Sequence, residues 1–447
     1  MFKLVNRVYL LALISFYSLF SFKIEGEYFL VIFFAIFSFV SYFLILQSQG
    51  LISSEFYKNS NKLAIKVFLY LFVFIFMENF ISYYYRDNFF LFNESDSITY
   101  HDNVLGIINM PFLKGISYYL SFMGFDDLGI ILILYPLYHI AKSNLILNLF
   151  YLIVGVITAN SIFSISQNFM TKKYAFLASL SYSISSFVVY FHGTGLKESF
   201  MVMLIVVAFD FYYRFLKKGD VIYLIVSILF ISSIMLFRPI LVGIIIGSMG
   251  LGSMLSKDGS FWTKLFSIFI FIVFVAMGGA LTEQINSYTT GGVDTLISAR
   301  ETQGGVIGGI FFTYTVNILS QVIGPLPTII SMSKVGTMFY TSGLVYRVLL
   351  AFPFWFGVVH IYKTKSEKLY PLIIFTLMEM AALAYLIDGL ELRKSLPHMP
   401  FVFIIAFWFL DKYDNRVIKF KKDKSFKNFF WSVMITLVLM IIYWNFR

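Results

Sequence analysis

Long apolar runs separated by short polar stretches dominate this chain. Each run holds about 17 to 23 residues, close to the roughly 20 residues of helix that cross the hydrocarbon core of a bilayer. Backbone groups inside a bilayer must be satisfied within the segment, so such runs predict transmembrane helices. The pattern predicts an all-α, polytopic transmembrane protein forming a single integral-membrane domain over residues 1–447. About 13 spans are predicted, near 4–22, 28–47, 63–85, 145–166, 174–191, 199–216, 221–237, 239–256, 264–282, 343–362, 369–387, 397–411 and 429–446.

Two further apolar stretches are not predicted to cross. Leu128–Ala141 is short and contains Pro136, and Ile310–Ser333 is interrupted by Gly324-Pro325-Leu326-Pro327. Because a helix interior tolerates proline poorly, these stretches predict re-entrant or interfacial helices. They then belong to exterior loops, which are predicted at about 86–144, 283–342 and 388–396.

The basic residues predict which side of the membrane each loop faces. With the N-terminus inside, the cytoplasmic loops hold most of the 34 Lys and Arg residues, including a basic loop at 412–428 that suits anionic membrane lipid. The net charge of +10 is therefore interpreted as membrane topology, and no nucleic-acid partner is predicted. The first run, Leu4–Phe22, is not followed by a small-residue cleavage site and predicts a retained anchor.

The composition excludes several classes of protein and site. Hydrophobic residues make up 59% of the chain and charged residues 13%, which excludes a water-soluble globular domain. Cysteine is absent, so disulfides, thiol nucleophiles and thiolate metal sites are excluded. The scattered histidines make no zinc-binding spacing, and no metal site is predicted.

Acidic and aromatic residues gather between the third and fourth predicted spans. They are Glu94, Asp96, Tyr100, His101 and Asp102. One interpretation is a solvated loop, since loops carry acids because they are wet. The other is a catalytic site in which a carboxylate outside a span removes a proton from an acceptor hydroxyl, with His and aromatic neighbours shaping the site. Asp96 is the predicted base, because Tyr100 and His101 follow it within about one helical turn.

A base alone cannot transfer a group from a phosphate-linked donor, because the departing phosphate needs positive charge and hydrogen-bond donors. The predicted topology puts several candidates at exterior helix ends or in exterior loops. The predicted substrate-binding or phosphate-binding groups, besides Tyr100, are Lys197, Glu198, Arg238, Arg300, Arg393 and His398. Structural explanations stay open: Lys197 can pair with Glu198, Arg238 can snorkel to the interface, and Arg300 can pair with Glu301.

The order of these motifs resembles the GT-C superfamily of integral-membrane glycosyltransferases. The resemblance covers roughly residues 60–410 and rests on short motifs. They are Asp96-Ser97-Ile98-Thr99-Tyr100-His101, Asn148, Ala178-Ser179-Leu180-Ser181-Tyr182, Leu196-Lys197-Glu198-Ser199, Leu236-Phe237-Arg238-Pro239, Arg393 and Pro397-His398-Met399-Pro400. The resemblance implies a donor carried on polyprenyl phosphate or diphosphate, an exterior active site and Asp96 as the catalytic acid. Several relatives present two acidic motifs where this chain has one, which leaves a divalent cation open as a cofactor.

The length, low polarity and long exterior loops also resemble Wzy-type polymerases, which join lipid-linked repeat units of O-antigen or capsule. Both resemblances imply glycosyl transfer at the exterior face of the bacterial inner (cytoplasmic) membrane, from a polyprenyl-linked sugar donor to a glycan acceptor. They leave open whether one sugar or a growing glycan is transferred, and whether a chain-length regulator or a flippase is a partner.

Two other classes of protein are weighed against an enzyme. A lipid-linked oligosaccharide flippase or other transporter would favour broken helices, an internal repeat and charges inside spans. A noncatalytic scaffold is the third alternative. Neither of these would form a glycosidic bond.

Overall fold

The fold is helical throughout the part of the chain that the structure describes. The computed structural model describes residues 1–23, 28–50, 60–90, 96–123, 127–256, 272, 309–326, 335–364, 366–385, 392–418 and 423–446. Every regular element within these ranges is an α-helix or a short 3-10 turn. The predicted all-α class is confirmed for these residues.

The helices are numbered in chain order within the described residues. They are α1 (Phe2–Lys23), α2 (Tyr28–Gly50), α3 (Ser60–Arg86), α4 (Asp96–Ile107), α5 (Phe112–Met123), α6 (Leu128–Ile140), α7 (Asn144–Ser166), α8 (Lys172–Ser183), α9 (Ser186–Gly193), α10 (Lys197–Lys218), α11 (Val221–Ile234), α12 (Pro239–Leu255), α13 (Gly309–Ile323), α14 (Val335–Thr364), α15 (Tyr370–Tyr385), α16 (Leu392–Ser395), α17 (Met399–Asp414) and α18 (Asp423–Phe446). Two 3-10 turns, Glu367–Leu369 and Leu396–His398, lead directly into α15 and α17.

Six segments of the described chain are long and apolar enough to cross a membrane. They are Asn61–Arg86, Asn144–Ser166, Lys197–Lys218, Thr341–Thr364, Glu367–Tyr385 and Lys424–Tyr443. A seventh span is formed if α8 and α9, which meet at a bend of 49°, act together. The protein is therefore a multi-pass helical membrane protein.

The described residues do not reach the predicted count of about 13 spans. The predicted span 264–282 lies outside the described residues, apart from Ile272. The predicted span 221–237 is a helix of 14 residues, because the chain turns at Met235–Arg238, whereas the predicted span 239–256 is a helix of 17 residues with almost the predicted bounds. Both helices are shorter than the roughly 20 residues that cross a bilayer. Likewise α17, predicted as 397–411, is a helix of 16 residues that follows a 3-10 turn.

The region predicted as the first exterior loop, about 86–144, folds largely into the short helices α4, α5 and α6. α6 has 13 residues and carries Pro136 inside it. α5 has 12 residues, and its Leu113 and Phe122 are 80% and 77% exposed. Both helices are shorter than the roughly 20 residues that cross a bilayer, as the predicted re-entrant or interfacial helices would be.

One end of the helix bundle is rich in basic residues. The N-terminal amine of Met1 pairs with Asp414 at 2.6 Å, and the Tyr174 hydroxyl donates to the same carboxylate at 2.6 Å. Near the end of α10, the Tyr213 hydroxyl donates to the carbonyl of Lys368, in the 3-10 turn before α15, at 2.8 Å. These contacts join the ends of helices that carry Lys3, Lys172, Lys173, Arg214, Lys217, Lys218, Lys363 and Lys412. We call this the basic end.

Aromatic packing in the core holds α10 and α17 together. The ring of Phe401 lies 4.8 Å from that of Phe209, and Phe403 lies 5.6 Å from Tyr182 on α8. α10 starts at Lys197, 17 residues before Arg214, and a helix rises about 1.5 Å per residue. The start of α10 therefore lies at the end of the bundle opposite the basic end, about 25 Å away along α10.

Candidate functional site

A salt bridge joins the first residue of α4 to α16. The carboxylate of Asp96 pairs with Nη1 of Arg393, 297 positions away in the sequence. Asp96 lies in the first turn of α4, where the positive end of the helix dipole stabilises a carboxylate. Each side chain is 34% exposed, so both can be reached from outside the bundle. The structure thus brings the predicted base against a predicted phosphate-binding group.

A second salt bridge lies at the start of α10. Nζ of Lys197 pairs with Oδ1 of Asp127 and donates to the Phe237 carbonyl at 3.4 Å. Asp127 precedes α6 with a φ of 61°, a left-handed conformation that Asp adopts more readily than most residues. Lys197 was predicted from the sequence, whereas Asp127 was not singled out.

A third salt bridge ties α10 to the start of α12. Nη2 of Arg238 lies 3.5 Å from Oε1 of Glu198. Glu198 is only 2% exposed, and its Oε2 has no hydrogen-bond partner among the described residues. Pro239 follows Arg238 at the first position of α12, where a missing N–H costs nothing. The chain therefore turns into α12 with the guanidinium held against α10.

The phenol of Tyr100 lies among these three salt bridges. Burial raises the pKa of Tyr100 well above its ordinary value, and the nearby carboxylates of Asp127, Glu198 and Asp96 raise it further, while Arg393 opposes them. The hydroxyl therefore stays protonated at neutral pH. Tyr100 thus interacts electrostatically with at least one member of each salt bridge, and Lys197 and Arg238 join the set through their own ion pairs. We call this set the ion-pair cluster, consisting of Asp96, Tyr100, Asp127, Lys197, Glu198, Arg238 and Arg393.

A buried His–Glu pair adjoins the ion-pair cluster. Nδ1 of His398 lies 3.2 Å from Oε2 of Glu379 on α15, and neither side chain is more than 3% exposed. Arg238 interacts electrostatically with Glu379, and Arg347 on α14 does so with His398. The predicted His398 is therefore reached from the cluster through Glu379. The sequence offered no signal that would join Glu379 to this site. An acid within an apolar run looks the same in a sequence whether its role is structural or functional.

His101 and Asp102, predicted to act beside Asp96, have different surroundings. Nδ1 of His101 lies 2.8 Å from the hydroxyl of Tyr138 on α6, and its ring packs edge-on against Phe90. Burial lowers the pKa of His101, which Asp102 partly opposes. Asp102 is exposed. Successive helical residues are rotated by about 100°, so these two side chains leave α4 on other faces than Tyr100. They do not join the ion-pair cluster.

Two predicted site residues, Glu94 and Arg300, lie outside the described residues. Their predicted roles as catalytic and phosphate-binding groups stay predictions. The question of a divalent cation stays open, and no group of three or more His, Cys, Asp or Glu side chains converges within the described ranges.

The ion-pair cluster contains groups suited to acid–base catalysis and groups suited to phosphate binding. Its carboxylates can accept a proton, and its guanidinium and ammonium groups can bind phosphate oxygens. The side chains of Asp96 and Arg393 are 34% exposed, whereas Glu198 is 2% exposed. The cluster therefore has a solvent-accessible side, formed by Asp96 and Arg393, and a buried side that contains Glu198. A ligand arriving from outside would meet Asp96 and Arg393 first.

Comparison with known proteins adds no relative to this picture. No protein-family model matches the sequence, and no curated protein matches it.

Proposed function

We propose that the ion-pair cluster is the active site of a membrane glycosyltransferase. The enzyme would transfer a sugar or oligosaccharide from a polyprenyl phosphate or diphosphate to a glycan acceptor, as a GT-C transferase or a Wzy-type polymerase. The observation that carries the proposal is the meeting of Asp96, Lys197, Arg238 and Arg393, which come from distant segments of a mostly apolar chain. Buried and half-buried charges are costly in a membrane protein, so such a meeting favours a functional site.

The proposed reaction assigns a role to each side of the cluster. The carboxylate of Asp96 accepts the proton of the acceptor hydroxyl as that oxygen attacks the anomeric carbon. The bond from the anomeric carbon to the phosphate oxygen breaks, and the phosphate leaves with the electron pair. Arg393, Arg238 and Lys197 balance the charge that develops on the departing phosphate. Inversion at the anomeric carbon is expected from this single displacement.

The charge distribution supports an exterior site. Basic residues favour the cytoplasmic side in membrane proteins, and they gather at the end of the bundle opposite the start of α10. On that basis the ion-pair cluster faces the exterior of a bacterial inner membrane. This is the compartment in which polyprenyl-linked glycans are assembled into surface polysaccharide such as O-antigen or capsule.

A transporter of lipid-linked oligosaccharide is the second candidate. Two observations favour it: α8 and α9 are broken by a bend of 49°, and Glu78, Arg347 and Glu379 are buried within crossing segments. Broken helices and intramembrane charges are typical of transporters. A transporter would move the lipid-linked sugar without forming a glycosidic bond.

The proposal is tested by following radiolabelled sugar from a polyprenyl-linked donor into glycan with purified protein. The Asp96→Asn variant should lower the transfer rate by about 100-fold to 10,000-fold, because the general base is lost. Asp87→Asn is the matched control. Asp87 is an exposed acid with a φ of 54°, a conformation that Asn also adopts, and no role in the cluster is assigned to it.

The outcomes separate the two candidates. Transfer by the wild type and by Asp87→Asn, with loss in a folded Asp96→Asn, supports the enzyme. Normal glycan formation by Asp96→Asn would remove the carboxylate from the mechanism. Movement of the lipid-linked sugar across a vesicle membrane, without any new glycosidic bond, would favour the transporter.

A further inference from the structure

A second set of polar side chains is buried where α3, α7 and α9 pack against one another. On α3, both carboxylate oxygens of Glu78, Oδ1 of Asn79 and Oγ of Ser82 have no hydrogen-bond partner among the described residues. On α7, neither polar atom of Asn148 has one. All four residues are at most 1% exposed. Buried polar groups are nearly always paired, so this concentration of unpaired atoms calls for an explanation.

The face of α7 that carries Asn148 looks toward α3. Asn144, Asn148 and Gly155 are spaced by four and seven positions and therefore share one face of the helix. At one end of that face, Nδ2 of Asn144 donates to the Phe89 carbonyl, just beyond α3, at 3.0 Å. At the other end, a Cβ on Gly155 would collide with Cδ1 of Leu71 on α3. Asn148 lies between these two contacts.

The same spacing sets the matching face of α3. Leu71, Glu78 and Ser82 are separated by seven and four positions and share one face. The two helices run antiparallel, and Leu71 lies opposite Gly155. Glu78 is seven positions after Leu71 and Asn148 is seven positions before Gly155, so the two residues lie at the same height along the paired helices. Glu78 and Ser82 therefore lie level with Asn148. Asn79 adds an oxygen at this level, because its Nδ2 donates to the Ile75 carbonyl at 2.7 Å and leaves Oδ1 unpaired.

The chemistry of this set is that of a cation site. Glu78 supplies two oxygens, and Asn79, Ser82 and Asn148 supply one each. Oxygen donors without a thiolate suit hard cations, and no group of three His, Cys, Asp or Glu side chains converges within the described ranges to hold a transition metal. Glu78 has no salt-bridge partner among the described residues, so its carboxyl group needs one compensating positive charge, which a proton or a bound monovalent cation supplies. A divalent ion would leave one positive charge uncompensated, so the set suits a monovalent cation.

We propose that Glu78, Asn79, Ser82 and Asn148 bind an alkali metal cation such as Na⁺. We call this set the α3–α7 oxygen site. The carboxylate of Glu78 is its charged ligand, and the amide and hydroxyl oxygens complete the shell. The proposal stands on buried groups outside the ion-pair cluster and does not depend on glycosyl transfer.

The position of the α3–α7 oxygen site links it to the ion-pair cluster. Tyr151 lies about one turn beyond Asn148 on α7, and its hydroxyl donates to the Leu196 carbonyl at 2.7 Å. Leu196 directly precedes Lys197. A cation that holds α7 against α3 therefore also steadies the start of α10, where Lys197 and Glu198 enter the cluster.

The proposal is tested by equilibrium binding of radioactive sodium and rubidium to the purified protein, with choline chloride holding the ionic strength constant. The wild type should bind one of these ions saturably. Glu78→Gln, which keeps the size of the side chain but removes its charge, should abolish that binding. Asp210→Asn is the matched control, because Asp210 is also a buried acid within a crossing segment but pairs with Arg214 at 2.7 Å near the basic end.

A third variant keeps the test decisive if Glu78→Gln fails to fold. Ser82→Ala preserves the charge and removes one oxygen ligand, so it should weaken binding by about tenfold while the melting temperature without ions stays at that of the wild type. Absence of saturable binding of both ions to the wild type would overturn the proposal. Wild-type affinity in a folded Glu78→Gln or Ser82→Ala would overturn it as well. None of these outcomes depends on whether the protein transfers sugar.

Discussion

The charged residues of the ion-pair cluster differ in what their pairing contributes. Asp96 and Arg393 are each 34% exposed, and pairs of that kind stabilise a fold by at most about 1 kcal/mol. Glu198 is 2% exposed, and removing one partner of a buried pair costs about 3–5 kcal/mol. The outer pair is therefore available to a ligand at little cost in stability. The inner pair, Glu198 with Arg238, holds α10 and α12 in place behind it.

Exchanging the charges of the outer pair separates structure from chemistry. Asp96→Arg and Arg393→Asp each place two like charges together, so each single variant should lower the melting temperature of the purified protein. The double variant restores an opposite pair and should recover most of that loss. Its sugar transfer should stay at least about 100-fold below the wild type, because a carboxylate at position 393 lies on the wrong helix to act as the base.

The double variant also has an outcome that would contradict this assignment. If it regained both the melting temperature and the rate of sugar transfer, the pair of Asp96 and Arg393 would have a structural role alone. The base would then have to be another carboxylate, with Asp127 and Glu198 as the remaining acids of the cluster.

At the scale of whole helices, close approach depends on small residues. The N–H of Gly343 on α14 donates to Oγ of Ser186, the first residue of α9, at 2.7 Å. A Cβ at position 343 would lie 2.9 Å from the backbone nitrogen of Ser186 and 2.8 Å from the ring of Phe187. Backbone cannot move aside as the end of a flexible side chain can. The bend between α8 and α9 is therefore locked against α14 at a glycine.

Adding one methyl group tests this contact. Gly343→Ala should destabilise the protein by about 1–3 kcal/mol, because it overpacks a contact with backbone. Gly106→Ala in α4 is the matched control, since a Cβ at Gly106 meets nothing within 4 Å. That control should be neutral or stabilising by up to about 1 kcal/mol, because alanine favours a helix over glycine. Melting temperatures in detergent report both, and an equal effect of the two variants would contradict the packing argument.

At the scale of the whole molecule, the two ends of the bundle differ in charge and in content. One end gathers basic side chains around Asp414 and Arg214, while the other carries the paired acids and bases of the ion-pair cluster. The separation of about 25 Å along α10 is close to the thickness of a hydrocarbon core of about 30 Å. The two ends are therefore expected to face opposite sides of the membrane.

Cysteine labelling tests this orientation without background, because the chain has no cysteine. Lys142 lies between α6 and α7, two positions before Asn144, whose side chain lies against Gly195 just ahead of α10. Lys217 lies near the other end of α10, and both lysines are exposed. In cells, a membrane-impermeant maleimide added outside the inner membrane should label Lys142→Cys and spare Lys217→Cys. Inside-out vesicles should reverse the result. Labelling of both variants from the same side would contradict the proposed topology.

The ion-pair cluster could be anticipated only in part. Charged residues are few in this apolar chain, so Asp96, Lys197, Arg238 and Arg393 stood out as candidates from the sequence. Asp127 did not, because nothing local distinguishes it from any other acid in a polar turn. Glu94 and Arg300 lie outside the described residues, and their roles stay predictions.

The helical membrane class was determined by the sequence itself. The hydropathy of about 20 consecutive residues is a local property, and it does not depend on how the chain folds. The number of crossing helices was not determined in this way, since α11, α12 and α17 have 14, 17 and 16 residues and are shorter than the roughly 20 residues that cross a bilayer. The partners of the charges were decided only by tertiary structure. Asp96 meets Arg393 across 297 positions, and such a pairing depends on how the helices pack, which no local pattern records.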